Sequence, residues 1–498
     1  MPAHTVMDSS LRKAPTLLQA LLPVAVLIAL LAASVYLFGD GSSQGPNQIA
    51  LTLAAGVAIL VGVRLGYPWR ELERGIVRSI SLAMGAMLIL LVVGALIGTW
   101  ILSGVVPSMI YYGLQTLSPG VFYAAACVIC AFVSVATGSS WTTASTIGIA
   151  LVGVATAQNL NLGLTAGAII SGAYFGDKMS PLSDTTNLAP AVAGTELFVH
   201  IRHMTWTTIP SFFLALVGFA VIGWVSPVPD DARDLDAILQ ALDRSFVIGP
   251  HLLLPAALVL VLVWRRMPAF PALLIGALVG AVFAFVFQPR AVLTFVGEPE
   301  LPRVLALVKG CWTALFDGFT LRSGNVALDA LLSRGGMGGM LTTIWLILSA
   351  MMFGGVMETT KMLEKLAARV LSMVSSTGTL IAATLASSVS MNVLASDQYI
   401  AIVLPGRMFR AEYRRRRLHP KNLSRALEDA GTLTSPLVPW NTCGAFMALT
   451  LGVPVFVYLP YCFFNLVNPL VSAAYGFTGF KIEPLPEDAE DENEKAAA

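Results

Sequence analysis

Apolar stretches about as long as a bilayer is thick recur along this chain, and they restrict its fold more than any other feature. A helix needs about 20 apolar residues to cross the hydrocarbon core. Such stretches fall at 17–38, 48–66, 79–102, 204–225, 249–264, 268–288, 338–357 and 458–477. Of 498 residues, 56% are hydrophobic and 12% charged, against about 25% charged in a soluble protein. No soluble core hides that much apolar surface, so the expected class is an all-α polytopic membrane protein whose partner is the lipid bilayer. Lys and Arg number 30 and Asp and Glu 29, a balance that argues against a nucleic-acid partner. The segment Pro15 to Phe38 is too long and too apolar for a cleaved signal. No phosphate-binding loop is present and no motif pairs a serine with a histidine, so the chain reads as neither an ATP-driven pump nor an enzyme, and no cofactor is expected. Cys127 and Cys130 form a CxxC inside an apolar run, where packing is the expected role rather than redox chemistry or metal binding.

Four further apolar stretches, 120–157, 163–199, 375–410 and 427–457, are interrupted at membrane depth by Gly, Pro, Ser, Thr, Asn or Asp. As one helix, 163–199 would run about 55 Å at 1.5 Å per residue, against a core about 30 Å thick. Its centre, GDKMSPLSDTTN (Gly176 to Asn187), predicts a helix that stops, runs extended and restarts. The stretch 120–157 carries TGSSWTTAST (Thr137 to Thr146) at its centre. We read it as a re-entrant hairpin tipped by that segment, with two short spans joined by a hydroxylic loop as the competing reading. Non-helical backbone at this depth is tolerated only inside protein or beside a water-filled cavity.

The second half of the chain echoes the first at an offset of 255, which places Ser180-Pro181-Leu182 on Ser435-Pro436-Leu437 and Thr137–Thr142 on Asn392–Asp397. With the N-terminus inside and about ten full spans plus two hairpins, 22 of the Lys and Arg residues fall inside and seven outside, with Lys178 left in the membrane. That excess obeys the positive-inside rule. It places both termini in the cytoplasm and opens the hairpins 120–157 and 375–410 to opposite faces. The two repeats are then inverted, each with a hairpin and a broken helix (163–199 and 427–457), a pattern of secondary transporters. The expected organisation is N-terminal helices with a cytoplasmic amphipathic segment over 1–78, a first repeat over 79–225, connecting loops and helices over 226–333, a second repeat over 334–480 and an acidic disordered tail over 481–498. Whether 304–321 also enters the membrane stays open.

Charged residues at bilayer depth cost about 2.5–3.5 kcal/mol each on insertion scales and are usually functional or paired. Here they are Asp177, Lys178, Asp184 and Asp397, with Glu428 and Asp429 nearer the inner face. Around them stand Ser139, Ser140, Thr142, Ser180, Ser183, Thr185, Thr186, Asn187, Asn392, Ser396, Ser435, Asn441 and Thr442. Nearly all are oxygen donors, which suit hard cations. The competing reading has Asp177 and Lys178 neutralising neighbours and the hydroxyls capping broken helix ends. Lys178 is equally consistent with a structural counter-ion and a coupling residue. His200 and His203 fall at the inner boundary, where a pH-sensing role competes with packing. His419 and Glu428–Asp429 are read as caps of a surface helix.

Four segments closely resemble the signatures of the NhaC family of Na+/H+ antiporters, within the wider ion-transporter superfamily. They are ATGSSWTTASTIGIALVGVA (Ala136 to Ala155), SGAYFGDKMSPLSDTTNLAPAVAGTE (Ser171 to Glu196), ASDQYIAIVLPGRMF (Ala395 to Phe409) and HPKNLSRALEDAGTLTSPLVPWNTCGA (His419 to Ala445). The similarity runs from about residue 15 to 480. It implies Na+, or Li+, and H+ as transported ions, a multi-pass bacterial inner-membrane location and, by analogy with the superfamily, a homodimer. The family also contains exchangers that couple Na+ and H+ to small organic acids such as malate and lactate, which is the alternative function. On the main reading, a buried carboxylate holds a proton until a cation displaces it. Asp184 is the expected shared carboxylate, with Asp177 and Asp397 supporting it.

Overall fold

The structure is a computed structural model that describes residues 13–225, 233–324, 328–329 and 332–485. Among the described residues, β structure is limited to two isolated bridges, Phe319 with Arg334 and Leu418 with Pro484. Nine helices among the described residues are long and apolar enough to cross a bilayer, or up to eleven if each of two bent pairs is one span. This is the multi-pass, all-α architecture the sequence predicts. The expected acidic tail lies mostly outside the described residues.

The chain opens with α1 (Leu17–Phe38), started by a capping box between Thr16 and Gln19, and α2 (Pro46–Arg64). Next comes α3 (Trp69–Leu102), a single helix of 34 residues. The boundary expected at 78/79 therefore falls inside a continuous helix: the amphipathic segment is its first turns, because nothing between Trp69 and Ser79 breaks it. A short α4 (Val105–Thr116) leads to α5 (Phe122–Thr137) and α6 (Ser140–Ala157). Then follow α7 (Leu162–Met179), α8 (Asp184–Ala193) and α9 (Leu197–Val225). The broken helix thus spans α7 and α8, and α9 starts earlier than the expected 204.

Prolines adjust the middle of the chain. After α10 (Arg233–Ser245), the expected span 249–264 is a 3-10 turn from Pro250 followed by α11 (Leu254–Trp264), only 11 residues long. It reaches spanning length only together with part of the preceding helix, across an 86° bend. A full span, α12 (Ala269–Phe287), precedes α13 (Pro289–Val296) and α14 (Arg303–Phe316). The 14 residues of α14 rise about 21 Å, too little to cross alone, although Val304, Leu305, Val308, Trp312 and Phe316 are exposed.

The second half runs α15 (Leu341–Thr359), α16 (Met362–Leu371), α17 (Thr377–Leu394), α18 (Gln398–Arg415) and α19 (Pro420–Leu427). A π-helical turn, Glu428–Thr432, and a break at Ser435–Asn441 follow. The chain closes with α20 (Thr442–Leu451), α21 (Val455–Tyr458) and α22 (Phe463–Thr478).

One packing group gathers α12, α14 and α15 around α3, with α1 and α2 alongside. A second gathers α5, α9 and α22 about α7, and joins α17 and α18 to α8 and α19. A separate apolar cluster, including Ala189, Leu380, Ile402, Phe409 and Leu427, fills the space among α8, α17, α18 and α19. Helices α17 and α18 lie against each other, whereas the main neighbours of α5 are α7 and α9, and those of α6 are α4 and α7.

The α5–α7 contact depends on absent side chains. A Cβ on Gly172 would stand 2.1 Å from the Cys127 carbonyl oxygen, and one on Gly176 would stand 2.3 Å from the Val135 nitrogen. Small residues four apart bring membrane helices into such contact. Cys127 and Cys130 are free and buried on this face of α5. Gly176→Val should therefore abolish monodisperse, folded protein in detergent. Gly56→Ala on α2, where an added Cβ meets nothing within 4 Å, should change stability by about 1 kcal/mol or less. Size-exclusion profiles of the two variants test the contrast.

Candidate functional site

Two helix breaks touch. Gly138, between α5 and α6, has φ +71°, and a Cβ there would lie 2.6 Å from Leu182 Cβ and 3.0 Å from the Ser183 nitrogen. The tip of the 120–157 segment thus sits on the interruption between α7 and α8. Pro181 and the caps explain that interruption: proline donates no backbone hydrogen bond, and Ser180 Oγ accepts from Leu182 N at 3.3 Å. The restarted helices of the two halves carry polar N-caps in the same order. Ser139 and Asp397 cap α6 and α18, and Ser183 and Asn441 occupy the cap positions of α8 and α20.

Asp177 closes the first pair of breaks. Its carboxylate accepts from Ser140 Oγ at 2.6 Å and from Ser183 Oγ at 2.7 Å, so one hydroxyl from each break holds one oxygen. Ser183 Oγ stands 3.1 Å from Thr185 Oγ1. Asp397 caps α18 through one oxygen, which accepts from Tyr399 N at 2.9 Å and Ile400 N at 3.1 Å. Both carboxylates line a cleft of about 820 Å3, together with Ser139, Ser140, Thr142, Asp184, Thr185 and Thr442. The cleft runs past Leu82 to Ile89 of α3 to Arg266–Phe270, where the chain turns into α12. Asp177, Asp184 and Asp397 share its wall without closing into one nest: among the described residues, no three of His, Cys, Asp and Glu are placed to hold one metal ion.

Asp184 is the most open of the three aspartates on the cleft wall. It occupies the first turn of α8 and is exposed, while Asp177 and Asp397 are buried. Thr186 of that short turn packs into the protein, while Asp184 and Thr185 border the cleft. Asn187 is also exposed and is occupied by the Pro181 and Ser183 carbonyls.

Several expected site residues brace the breaks instead of facing the cleft. Thr186 Oγ1 donates to the Asp177 and Lys178 carbonyls at 2.8 and 3.0 Å. Asn392 donates to the Gly431 carbonyl and receives Asn441 on its own side-chain oxygen at 3.1 Å. Ser435 donates to the Thr432 carbonyl at 2.7 Å. Ser396 holds φ +60°, and its carbonyl accepts from Thr442 N.

Lys178 turns away from the cleft. Its fully buried ammonium pairs with Asp429 and donates to Asn468 Oδ1 at 2.9 Å, and Thr207 donates to the same Asp429 oxygen. Glu428 and Asp429 are therefore not caps of a surface helix, since both are wholly buried in the π-helical turn. His419 does cap α19, accepting from Lys421 N at 3.2 Å. His200 and His203 are buried, with His200 against Ser424 at 2.8 Å.

Residues 172–480 match the model of the Na+/H+ antiporter family. A relative in Alkalihalophilus pseudofirmus, the Na+/H+ antiporter NhaC, is 38% identical over 93% of this chain and 96% of its own length. The chain belongs to the Na+/H+ antiporter family. A second relative within reach is the malate-2H+/Na+-lactate antiporter of Bacillus subtilis, 37% identical over 93% of this chain and 95% of its own. Among solved structures, the YdaH transporter of Alcanivorax borkumensis aligns with 94% of this chain and 100% of its own at 12% identity and a TM-score of 0.38.

Two residues of the family motif ASDQYIAIV line the cleft without having drawn attention in the sequence. Gln398 accepts from Ser435 Oγ at 3.2 Å, and Tyr399 stands within electrostatic reach of Asp184, Asp397 and Asp177. Their signal was adjacency to Asp397, the residue that fixes the start of α18.

Proposed function

We propose that the protein exchanges Na+ (or Li+) for H+ across the bacterial inner membrane, with Asp177 as the carboxylate the two ions share. The observation that carries this reading is the burial of Asp177 at the floor of an open cleft, held by one serine from each of two touching breaks. A serine hydroxyl donates to a carboxylate and also offers lone pairs to a cation. Ser140 and Ser183 therefore serve both loaded states. The second oxygen of Asp397, with Ser139, Thr142 and Thr442, supplies further oxygens for a hard cation. Desolvation makes the empty, charged site costly to move. A proton or a Na+ on Asp177 removes that cost, so only loaded forms cross and one ion drives the other.

The positive-inside count places the arginine-rich start of α3 in the cytoplasm, and the cleft approaches that face through Leu82 and Arg266. The structure is then inward-facing, with both termini cytoplasmic, and its halves form inverted repeats that exchange which side reaches Asp177. Asp184, at the cleft wall, would attract cations without being the exchange group.

The size of the cleft supports a second reading. A lone Na+ needs only a nest of oxygens, whereas about 820 Å3 lies within the roughly 300–1,000 Å3 typical of small-molecule pockets, and Arg266 is available to a carboxylate at its mouth. On that reading a small organic acid travels with the ions. Proteoliposomes with an imposed pH gradient separate the two. Collapse of the gradient on adding Na+ alone supports plain exchange. A response that requires malate or lactate supports the second reading, and no response to either removes both.

A further inference from the structure

Next to the cleft lies a carboxylate that the exchange at Asp177 leaves unused. Glu428 opens the π-helical turn Glu428–Thr432 and is fully buried. Its side-chain oxygens make no well-aligned hydrogen bond, and the hydroxyls beside them are those of Thr432 and Thr185. Turns of this kind are frequent at functional sites because they divert backbone and side chains from the regular helix. Two neutral hydroxyls and a lysine already paired elsewhere offset little of the desolvation of a charged carboxylate here, whereas a neutral carboxyl is far cheaper to bury.

The cations nearby are engaged elsewhere. Lys178 of α7 faces Glu428 but is bound to Asp429 and Asn468. Arg425 donates to the Lys481 carbonyl, and its acidic neighbours are Asp429 and Glu483. Asp177, also on α7, adds repulsion. The remaining helices packed on the turn present neutral groups: Asn392 from α17, Ala401 and Ile402 from α18, Thr185 from α8, and Asn465 and Asn468 from α22. His200 on α9 is beside Lys178 and bonded to Ser424.

One connected path leads out. Thr185 stands beside Glu428. Its hydroxyl is 3.1 Å from Ser183 Oγ, which is 2.7 Å from Asp177. We propose that Glu428 is a second proton-binding carboxylate, loaded from and emptied to the ion cleft through the hydroxyls of Thr185 and Ser183. This rests on the Na+/H+ exchange proposed above. In the loading step a proton leaves the Asp177 carboxyl or a cleft water, passes along the two hydroxyls and forms an O–H bond on Glu428. No other bond changes overall. Each cycle then carries one more proton per Na+ than a single-carboxylate site would, and charge moves accordingly.

Two measurements on the full-length protein in lipid test this. Infrared spectra at neutral pH should contain a protonated-carboxyl C=O band that E428Q removes, and an unchanged set of such bands in E428Q would overturn the proposal. The Na+ gradient that just balances a fixed pH gradient gives the coupling ratio. In E428Q it should fall by one proton per Na+, and an unchanged ratio in the active variant would likewise overturn the proposal. Should E428Q not fold, Thr185→Val keeps Glu428 in place and should slow the deuterium shift of the same band; an unaltered rate would break the proposed path. If the wild type moves no protons in response to Na+, the exchange reading fails, while the infrared band still decides whether Glu428 holds a proton.

Discussion

Asp177→Asn should abolish Na+-driven proton movement in proteoliposomes, while Asp184→Asn should retain it within about tenfold. The difference follows from burial. Asp177 is buried and held by two hydroxyls at the junction of two helix breaks, where protein surrounds most of a cation placed on it. Losing a charged partner in such a site costs roughly 1.5–3 kcal/mol, which is about 10- to 150-fold in cation affinity. Asparagine also cannot carry the exchanged proton, so coupling vanishes as well as affinity. Asp184 is exposed. In solvent of high dielectric a charge a few ångströms from a cation contributes about 1 kcal/mol, and salt screens it further. Initial rates of gradient collapse against Na+ concentration separate the cases: Asp184→Asn shifts the half-saturating concentration, and Asp177→Asn leaves a flat line. The reverse pattern would return the shared role to Asp184.

The placement of these two aspartates marks where sequence reading stops. The break itself was legible, because Pro181 and the flanking serines cannot continue a helix and lie at the centre of an over-long apolar stretch. Which side of the restarted helix faces protein was not, because a four-residue break erases the periodicity that would carry the register across it. Seven positions separate Asp177 from Asp184, two helical turns had the helix continued, so both looked alike. The same limit applies to Glu428 and Asp429. Beside a run of basic residues they read as surface caps, but a π turn, which has no compositional signature, rotates both into the interior. Long uniform spans such as α1, α2 and α12 match their expected positions within a few residues because composition alone determines them. Where prolines cut the apolar run, at Pro250 and Pro460, the helices α11 and α22 start later than hydropathy suggests.

Lys178 is the residue whose two readings the sequence could not separate, and its surroundings turn the question into a stability measurement. Lys178→Met leaves Asp429 buried with Thr207 as its remaining hydrogen-bond partner and Arg425 as a more distant charge. Breaking a buried pair from one side costs about 3–5 kcal/mol, so the melting temperature in detergent should fall sharply. Adding Asp429→Leu removes the stranded charge. Replacing both members of a buried pair by apolar groups is often close to neutral, so the double variant should regain most of the loss, less the bonds forfeited at Asn468 and Thr207. Transport by that double variant then separates the roles. A counter-ion that only neutralises Asp429 is dispensable once Asp429 is gone, and Na+-driven proton flux should persist within about tenfold. A coupling residue is not dispensable, and a protein that is stable yet inactive would identify Lys178 as one. The geometry favours the first outcome, because the ammonium points away from the cleft and its bonds to Asp429 and Asn468 tie α7 to the π turn and α22, elements that must move together if the site is to be carried across as a unit.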